Sequence, residues 1–273
     1  MPDPTDHNVA EELDRAAARL AAAGCPKPDV DARAIIADSL GLSWSAALDP
    51  HDRVSSLVRH HIAERIDRRA RREPLEYVLG TCMFRGLSLS VDPRVLVPEE
   101  DTGPLVDIAL TLPKGSRVHD VGTGSGAHAL AIKHERPDLV VSASDISADA
   151  VEVARANGRR LNLDVPVAVA RGLPPGTYDL VVANLPYNDS ELRVVPDPPE
   201  VTSYQPSIAI FGGGSDGLDV IREFLRAAGP ASRIVIQHDV SQTEAVRALF
   251  TDGKPFGPTS GSKRFTVGHP AAL

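Results

Sequence analysis

Arg117-Val-His-Asp-Val-Gly-Thr-Gly-Ser-Gly126 is the stretch that decides the fold. Its first half, Arg117–Val121, reads as a short strand. Gly122, Gly124 and Gly126 then allow a sharp turn and a close approach to a ligand. The helix-like run Ala127–His134 follows, so strand, tight turn and helix N-terminus succeed one another. Outward from this point strands and helices alternate. Strand-like runs fall at Arg117–Val121, Val140–Ser144, Val165–Ala170, Asp179–Ala183, Ile208–Phe211, Arg233–Gln237 and Arg264–Val267. Helical runs fall at Ala127–His134, Ala148–Leu161 and Gly217–Ala228. The pattern predicts an α/β fold with a mostly parallel, seven-stranded sheet covered by helices on both faces. Ligands of such sheets bind beyond the carboxyl ends of the strands, and Asp120, Asp145 and Asn184 all fall at predicted strand ends.

The glycine loop suits an adenosine cofactor without naming it. Gly122-x-Gly124-x-x-Ala127 also satisfies a dinucleotide fingerprint, which leaves nicotinamide and S-adenosylmethionine both open. Asp145 can accept hydrogen bonds from ribose hydroxyls that both cofactors carry; its ordinary alternative is a cap on the helix that starts after Ile146-Ser147. Asp120 is compatible with a cationic sulfonium amino acid and would repel a pyrophosphate. The expected cofactor set is therefore Asp120, Gly122, Thr123, Gly124, Gly126, Asp145, Ile146 and Asn184, with S-adenosylmethionine favoured once the next motif is included.

That motif is Asn184-Leu185-Pro186-Tyr187, directly after the apolar run ending at Ala183. An amide or guanidine nitrogen is a poor nucleophile because its lone pair is delocalised. Two acceptors in the plane of its NH₂ group, the Asn184 side-chain oxygen and the Leu185 carbonyl, can orient it toward a methyl carbon. Tyr187 can stack on the planar acceptor. These four residues are the expected catalytic set.

Bulk properties narrow the setting. The chain has 273 residues, 42% hydrophobic and 24% charged, enough for one sizeable core and a smaller appendage. No apolar run approaches the roughly 18 residues of a membrane span, and the polar start carries no signal-like segment. Cys25 and Cys82 are the only cysteines, so neither a disulfide framework nor a metal site is expected, and a cytoplasmic location is the default. A formal charge of −8 argues against a nucleic-acid partner. The local exception is the arginine-rich stretch 59–72, read as a solvated helix face with a docking surface for an acidic partner as the alternative.

Residues 1–74 are read as a small helical substrate-recognition domain, with helices over Val9–Ala23, Val30–Leu40 and Arg53–Arg72. Residues 75–103 form a linker whose Met83–Val91 stretch predicts a hairpin turning at Arg85-Gly86. Residues 104–273 carry the cofactor-binding domain.

Together these segments resemble the HemK-type release-factor glutamine methyltransferases, class I enzymes with a Rossmann-like fold that methylate a protein glutamine amide. The resemblance runs through Asp31-Ala32-Arg33, Arg72-Glu-Pro-Leu-Glu-Tyr-Val-Leu-Gly80, Phe84-Arg-Gly-Leu87, Val95-Leu-Val-Pro98, the glycine loop, Asp145-Ile-Ser-Ala-Asp-Ala150 and Gly212-Gly-Gly-Ser-Asp-Gly-Leu218. It implies an S-adenosylmethionine-dependent N-methyltransferase. The departures gather at the acceptor. The family's Asn-Pro-Pro-Tyr is here Asn184-Leu185-Pro186-Tyr187, and its Arg-Pro-Glu-Thr-Glu is Glu99-Glu100-Asp101-Thr102-Gly103. Its Glu-Pro is Gln205-Pro206, and the acidic residue after its third strand is missing from Ala170-Arg171-Gly172-Leu173. A more acidic mouth favours a cationic acceptor, so Glu99, Glu100, Asp101, Tyr187 and His238 are taken as substrate-binding candidates. The expectation leans to a small guanidino or amino substrate such as arginine. A release-factor glutamine is the alternative, and a nucleic-acid adenine a further one.

Overall fold

Asn8 starts the first helix, its side chain accepting from the Glu11 N–H while the Glu11 carboxylate accepts from the Asn8 N–H. The computed structural model describes residues 7–44, 46–189, 198–229, 232–257 and 262–271. The chain divides into two compact units, Met1–Gly80 with Asp197–Tyr204, and Thr81–Pro196 with Gln205–Leu273. Among the described residues no helix is long and apolar enough to cross a membrane.

In the first unit, β1 (His7–Asn8) pairs antiparallel with β2 (Arg53–Val54). Helices α1 (Val9–Ala22), α2 (Pro28–Ser39), α3 (Ser56–Ala70) and α4 (Leu75–Leu79) follow the expected helical grammar. Ser55 caps α3, which is why that helix starts three residues later than its apolar pattern suggests. Leu20, Ile35, Ile36, Ile62, Ile66 and Val78 form the core. Val78 draws α4 into this unit, and Gly80 ends it in the left-handed region at φ 74°. The unit boundary thus falls after residue 80 rather than 74, and the hairpin groups with the second unit.

The arginine-rich stretch is less solvated than its sequence suggests. Arg69 is 5% exposed, its Nε donating to Asp31 at 2.8 Å and its Nη1 to Glu200 at 2.9 Å. Arg72 grips both Glu200 oxygens at 2.7 Å, and Arg65 and Arg68 pair with Asp38 and Glu73. Those four arginines are committed to intramolecular pairs.

The second unit opens with the expected hairpin, β3 (Thr81–Phe84) and β4 (Leu87–Ser90), turning at Arg85-Gly86 with positive φ at both residues. Its sheet comprises β5 (Arg117–Val121), β6 (Val140–Asp145), β7 (Val167–Val169), β8 (Leu180–Ala183), β9 (Ile234–Asp239), β10 (Lys254–Phe256) and β11 (Lys263–Gly268). The order is β10-β11-β9-β8-β5-β6-β7; only β11 runs antiparallel to its two neighbours. Side chains of β8 alternate between two apolar clusters, Leu180 and Val182 in one, Val181 and Ala183 in the other. Helices α5 (Pro104–Leu110), α6 (Ala127–Glu135) and α7 (Ala148–Leu161) serve the first cluster, and helix Asp219–Ala228 serves the second.

The number of strands agrees with expectation, but one identity does not. Ile208–Phe211 is not a sheet strand. Ser207–Ala209 forms a 3₁₀ turn, and Phe211 makes a single parallel bridge to Asn188. Pro206 offers no N–H, and Gly212 to Gly214 follow at once, so a ladder has nowhere to extend. The seventh strand is instead Lys254–Phe256 at the sheet edge.

Candidate functional site

Parallel register sets the tips of three strands side by side, with Val121 opposite both Ser144 and Ala183. The glycine loop leaves β5 and is pinned to β6. Gly122 and Thr123 donate their N–H groups to the Ser144 carbonyl at 2.9 and 3.1 Å, and Gly124 donates to Asp145 Oδ2 at 2.9 Å. Asp145 Oδ1 accepts from the Ser147 N–H at 2.9 Å, while Ser147 itself caps α7. Two backbone amides therefore fix the Asp145 carboxylate, and each oxygen keeps a lone pair for another donor.

A cavity of about 420 Å³ lies beyond these tips. Its wall takes in Gly122 to Ser125, Asp145 to Ser147, Ala170 to Gly172 and Asn184 to Pro186. Ile146 lines it while 46% exposed. The volume suits a small cofactor.

Asp120 is fully buried and is not part of that wall. Its Oδ2 accepts from the Thr123 hydroxyl at 2.6 Å, and Oδ1 has no partner among the described residues. Burial pushes its carboxyl up to about 7.

The acceptor motif leaves β8 as an irregular segment. Among the described residues, the Asn184 side chain and the Leu185 carbonyl take part in no hydrogen bond, and both residues line the cavity. Leu185 is 8% exposed and joins the apolar cluster of Val181, Ala183, Ile221 and Phe224. A Cβ on Gly122 (φ 72°) would stand 3.0 Å from Leu185 Cδ2, so this glycine is what lets Leu185 sit against the loop.

Tyr187 does not line the cavity. Its ring packs on the same apolar cluster, and its hydroxyl accepts from Gln237 Nε2 at 2.9 Å. Expected as a stacking surface, it instead anchors the loop. The glycine segment 212–217 braces the same loop from outside. The Asn188 N–H donates to the Ile210 carbonyl and its carbonyl accepts from the Gly212 N–H, both at 3.0 Å, and Gln242 Nε2 reaches the carbonyls of Tyr187 and Asp216 at 2.8 Å.

None of the four remaining substrate-binding candidates lines the cavity. Lys263 takes Glu99 and Asp101 as ion-pair partners, the latter at 2.7 Å, and Glu100 accepts from the Arg85 N–H at 3.2 Å. His238 is fully buried, with Nδ1 against the Asp239 carbonyl and Nε2 against the Thr266 hydroxyl. Burial pushes its pKa down, so it is a neutral core residue. Missing from the expected set were His128, whose Nε2 bonds the Thr102 hydroxyl at 2.9 Å on the cavity wall, and the pair Arg171 and Glu223. For His128 the only signal was its place just inside the helix after the glycine loop.

Residues 11–80 match the family model described as the PrmC N-terminal domain, and residues 103–195 match the methyltransferase small domain. Among curated relatives, a release factor glutamine methyltransferase of Deinococcus radiodurans is 38% identical, covering 80% of each chain. One from Mycolicibacterium smegmatis is 35% identical, covering 88% of each. The chain belongs to the HemK-type release factor glutamine methyltransferase family. A solved methyltransferase structure from Pyrococcus furiosus overlays with a TM-score of 0.50 at 18% identity, covering 67% of this chain and 87% of that one. That likeness shows the class I fold.

As a HemK-type protein the chain is an S-adenosylmethionine-dependent N-methyltransferase. The residues present fit that cofactor. Asp145, on the cavity wall, keeps free lone pairs for ribose hydroxyls beside the glycine loop.

Proposed function

We propose that this chain methylates the side-chain amide nitrogen of a glutamine in a peptide chain release factor. The observation that carries the reading is the pair of unengaged acceptors, the Asn184 side-chain oxygen and the Leu185 carbonyl, on the wall of the cofactor cavity. The two N–H groups of a primary amide match two acceptors. Relatives named as release factor glutamine methyltransferases, at 38% and 35% identity, support the same substrate.

The lean to a guanidino or amino substrate loses its basis. It rested on an acidic mouth, yet Glu99 and Asp101 are spent on Lys263, Glu100 on a backbone amide, and none reaches the cavity. A guanidinium would also need a carboxylate beside Asn184 to remove a proton. An amide does not, because the protonated N-alkyl amide is strongly acidic and loses its proton to water.

When bound, S-adenosylmethionine supplies an electrophilic methyl group on its sulfonium. The chain holds the glutamine NH₂ in one plane by Asn184 and Leu185, so that its weak lone pair faces that methyl. Pro186 stiffens the turn, and Tyr187, tied to Gln237, keeps it in place.

The test is incubation with labelled cofactor and full-length release factor, with free arginine as competitor, followed by mass spectrometry of the peptides. Label on one release-factor glutamine is expected, and Asn184→Ala should reduce it by roughly 100-fold or more. Label on arginine with none on the protein would sink the reading.

A further inference from the structure

A cofactor cavity that accepts adenosine has to tell adenine from other flat rings, and only polar groups at the ring edge can do so. Adenine offers an exocyclic amino donor next to a ring-nitrogen acceptor. Its complement is an acceptor beside a donor.

Among the described residues that line the cavity, Asp145 and Glu223 are the only carboxylates. Asp145 stands at the glycine loop, in place for the ribose. Glu223 lies on helix Asp219–Ala228, where Val220, Glu223, Phe224 and Ala227 recur at helical spacing and all face the cavity. It is met there by Arg171. Arg171 Nε and Nη2 donate to Glu223 Oε1 at 3.0 and 2.7 Å, and Nη2 also reaches Oε2 at 2.9 Å.

Arg171 does not hang from a free loop. Ala170 donates its N–H to the Asp145 carbonyl at 2.8 Å, and the Gly172 carbonyl accepts from the Ser144 hydroxyl at 3.3 Å. The segment that carries Arg171 is therefore fastened to the same strand end that carries Asp145. An adenine attached to a ribose at Asp145 comes next to this segment. Glu223 keeps lone pairs after binding Arg171, and Arg171 Nη1 has no partner among the described residues.

We propose that the Arg171–Glu223 pair reads the adenine edge of the cofactor, Glu223 accepting from the amino group and Arg171 donating to the neighbouring ring nitrogen. The inference rests on the cofactor reading of this cavity and adds the residues that give it base selectivity. The pair is largely exposed, with side-chain exposures of 70% and 57%, so it contributes little to folding and can be altered without unfolding the chain.

The experiment is calorimetric binding of S-adenosylhomocysteine and of its deaminated analogue S-inosylhomocysteine, in which an oxygen replaces the amino group. Wild-type protein should prefer the adenosine compound by about 10- to 100-fold. Glu223→Ala should weaken S-adenosylhomocysteine by roughly tenfold while bringing the two ligands within about threefold of each other. Glu223→Gln, which keeps one acceptor, should retain part of the preference. If Glu223→Ala binds both as wild type does, the proposal is overturned and the cofactor reading stands. If S-adenosylhomocysteine does not bind wild-type protein at all, the cofactor reading itself falls.

Discussion

At residue 185 the side chain and the carbonyl have separate tasks. The carbonyl is unengaged among the described residues and is left for the role proposed above; the side chain is 8% exposed, meets the Gly122 position and belongs to the apolar cluster of Phe224. Leu therefore serves where a proline would also supply a carbonyl, and its N–H is not used by any described backbone acceptor. Leu185→Pro should keep turnover on the release factor within roughly threefold, since only an unused donor is lost. It should also lower stability by about 1–3 kcal/mol, because the apolar contact beside Gly122 is reduced. Steady-state rates and urea unfolding of the same preparation check both halves. A collapse in turnover at unchanged stability would mean that the Leu185 N–H or its torsional freedom takes part in the reaction.

Among the elements, the glycine segment 212–217 controls the acceptor loop by shape. A Cβ on Gly217 would lie 2.2 Å from the Tyr187 carbonyl oxygen, and the residue sits at φ 74°. Gly217→Ala must push the loop outward, and displacement by about 1 Å at a positioning group costs on the order of 100-fold in rate. Binding of S-adenosylhomocysteine should stay within about threefold, because Gly122 to Gly126 and Asp145 are held by other bonds; unimpaired turnover would show that the loop is not braced here. The same scale separates what the sequence discloses from what it conceals. The alternation of β5, α6, β6 and α7 is readable because each element carries its own period and its own turn residues. Lys254–Phe256 is not, since Pro255 and its exposed, edge position erase any strand pattern, and its place is decided by pairing with β11. Ile208–Phe211 misleads in the opposite way, with strand-like residues confined between Pro206 and Gly212. That the loop, Asp145 and Asn184 gather at one cavity is legible because they follow strand ends. That Glu99 and Asp101 are paired is not, because Lys263, their partner, lies more than 160 residues away.

For the whole molecule, the groups that burial disturbs set how stability varies with pH. His119 and His128 are held down to about 4 by burial, and His238 is also lowered. Between about 4 and the ordinary value of 6.5 the unfolded chain binds protons that native His119 and His128 refuse, so stability is lost as pH falls through that window, and His238 acts in the same direction. Asp120 acts in the opposite sense. Its carboxyl, pushed up to about 7, keeps a proton that the unfolded chain has already released, so its contribution falls as pH rises from 3.8 toward 7. Above 7 the native protein carries a buried carboxylate whose Oδ1 has no partner among the described residues. Asp120→Asn removes that burden and can still accept from Thr123. Near pH 5.5, where Asp120 is largely neutral, the substitution should change the unfolding midpoint little; near pH 8.5 it should raise stability by roughly 1–3 kcal/mol. Urea midpoints of wild type and Asp120→Asn at the two pH values decide it: equal shifts would mean that Asp120 does not titrate between them.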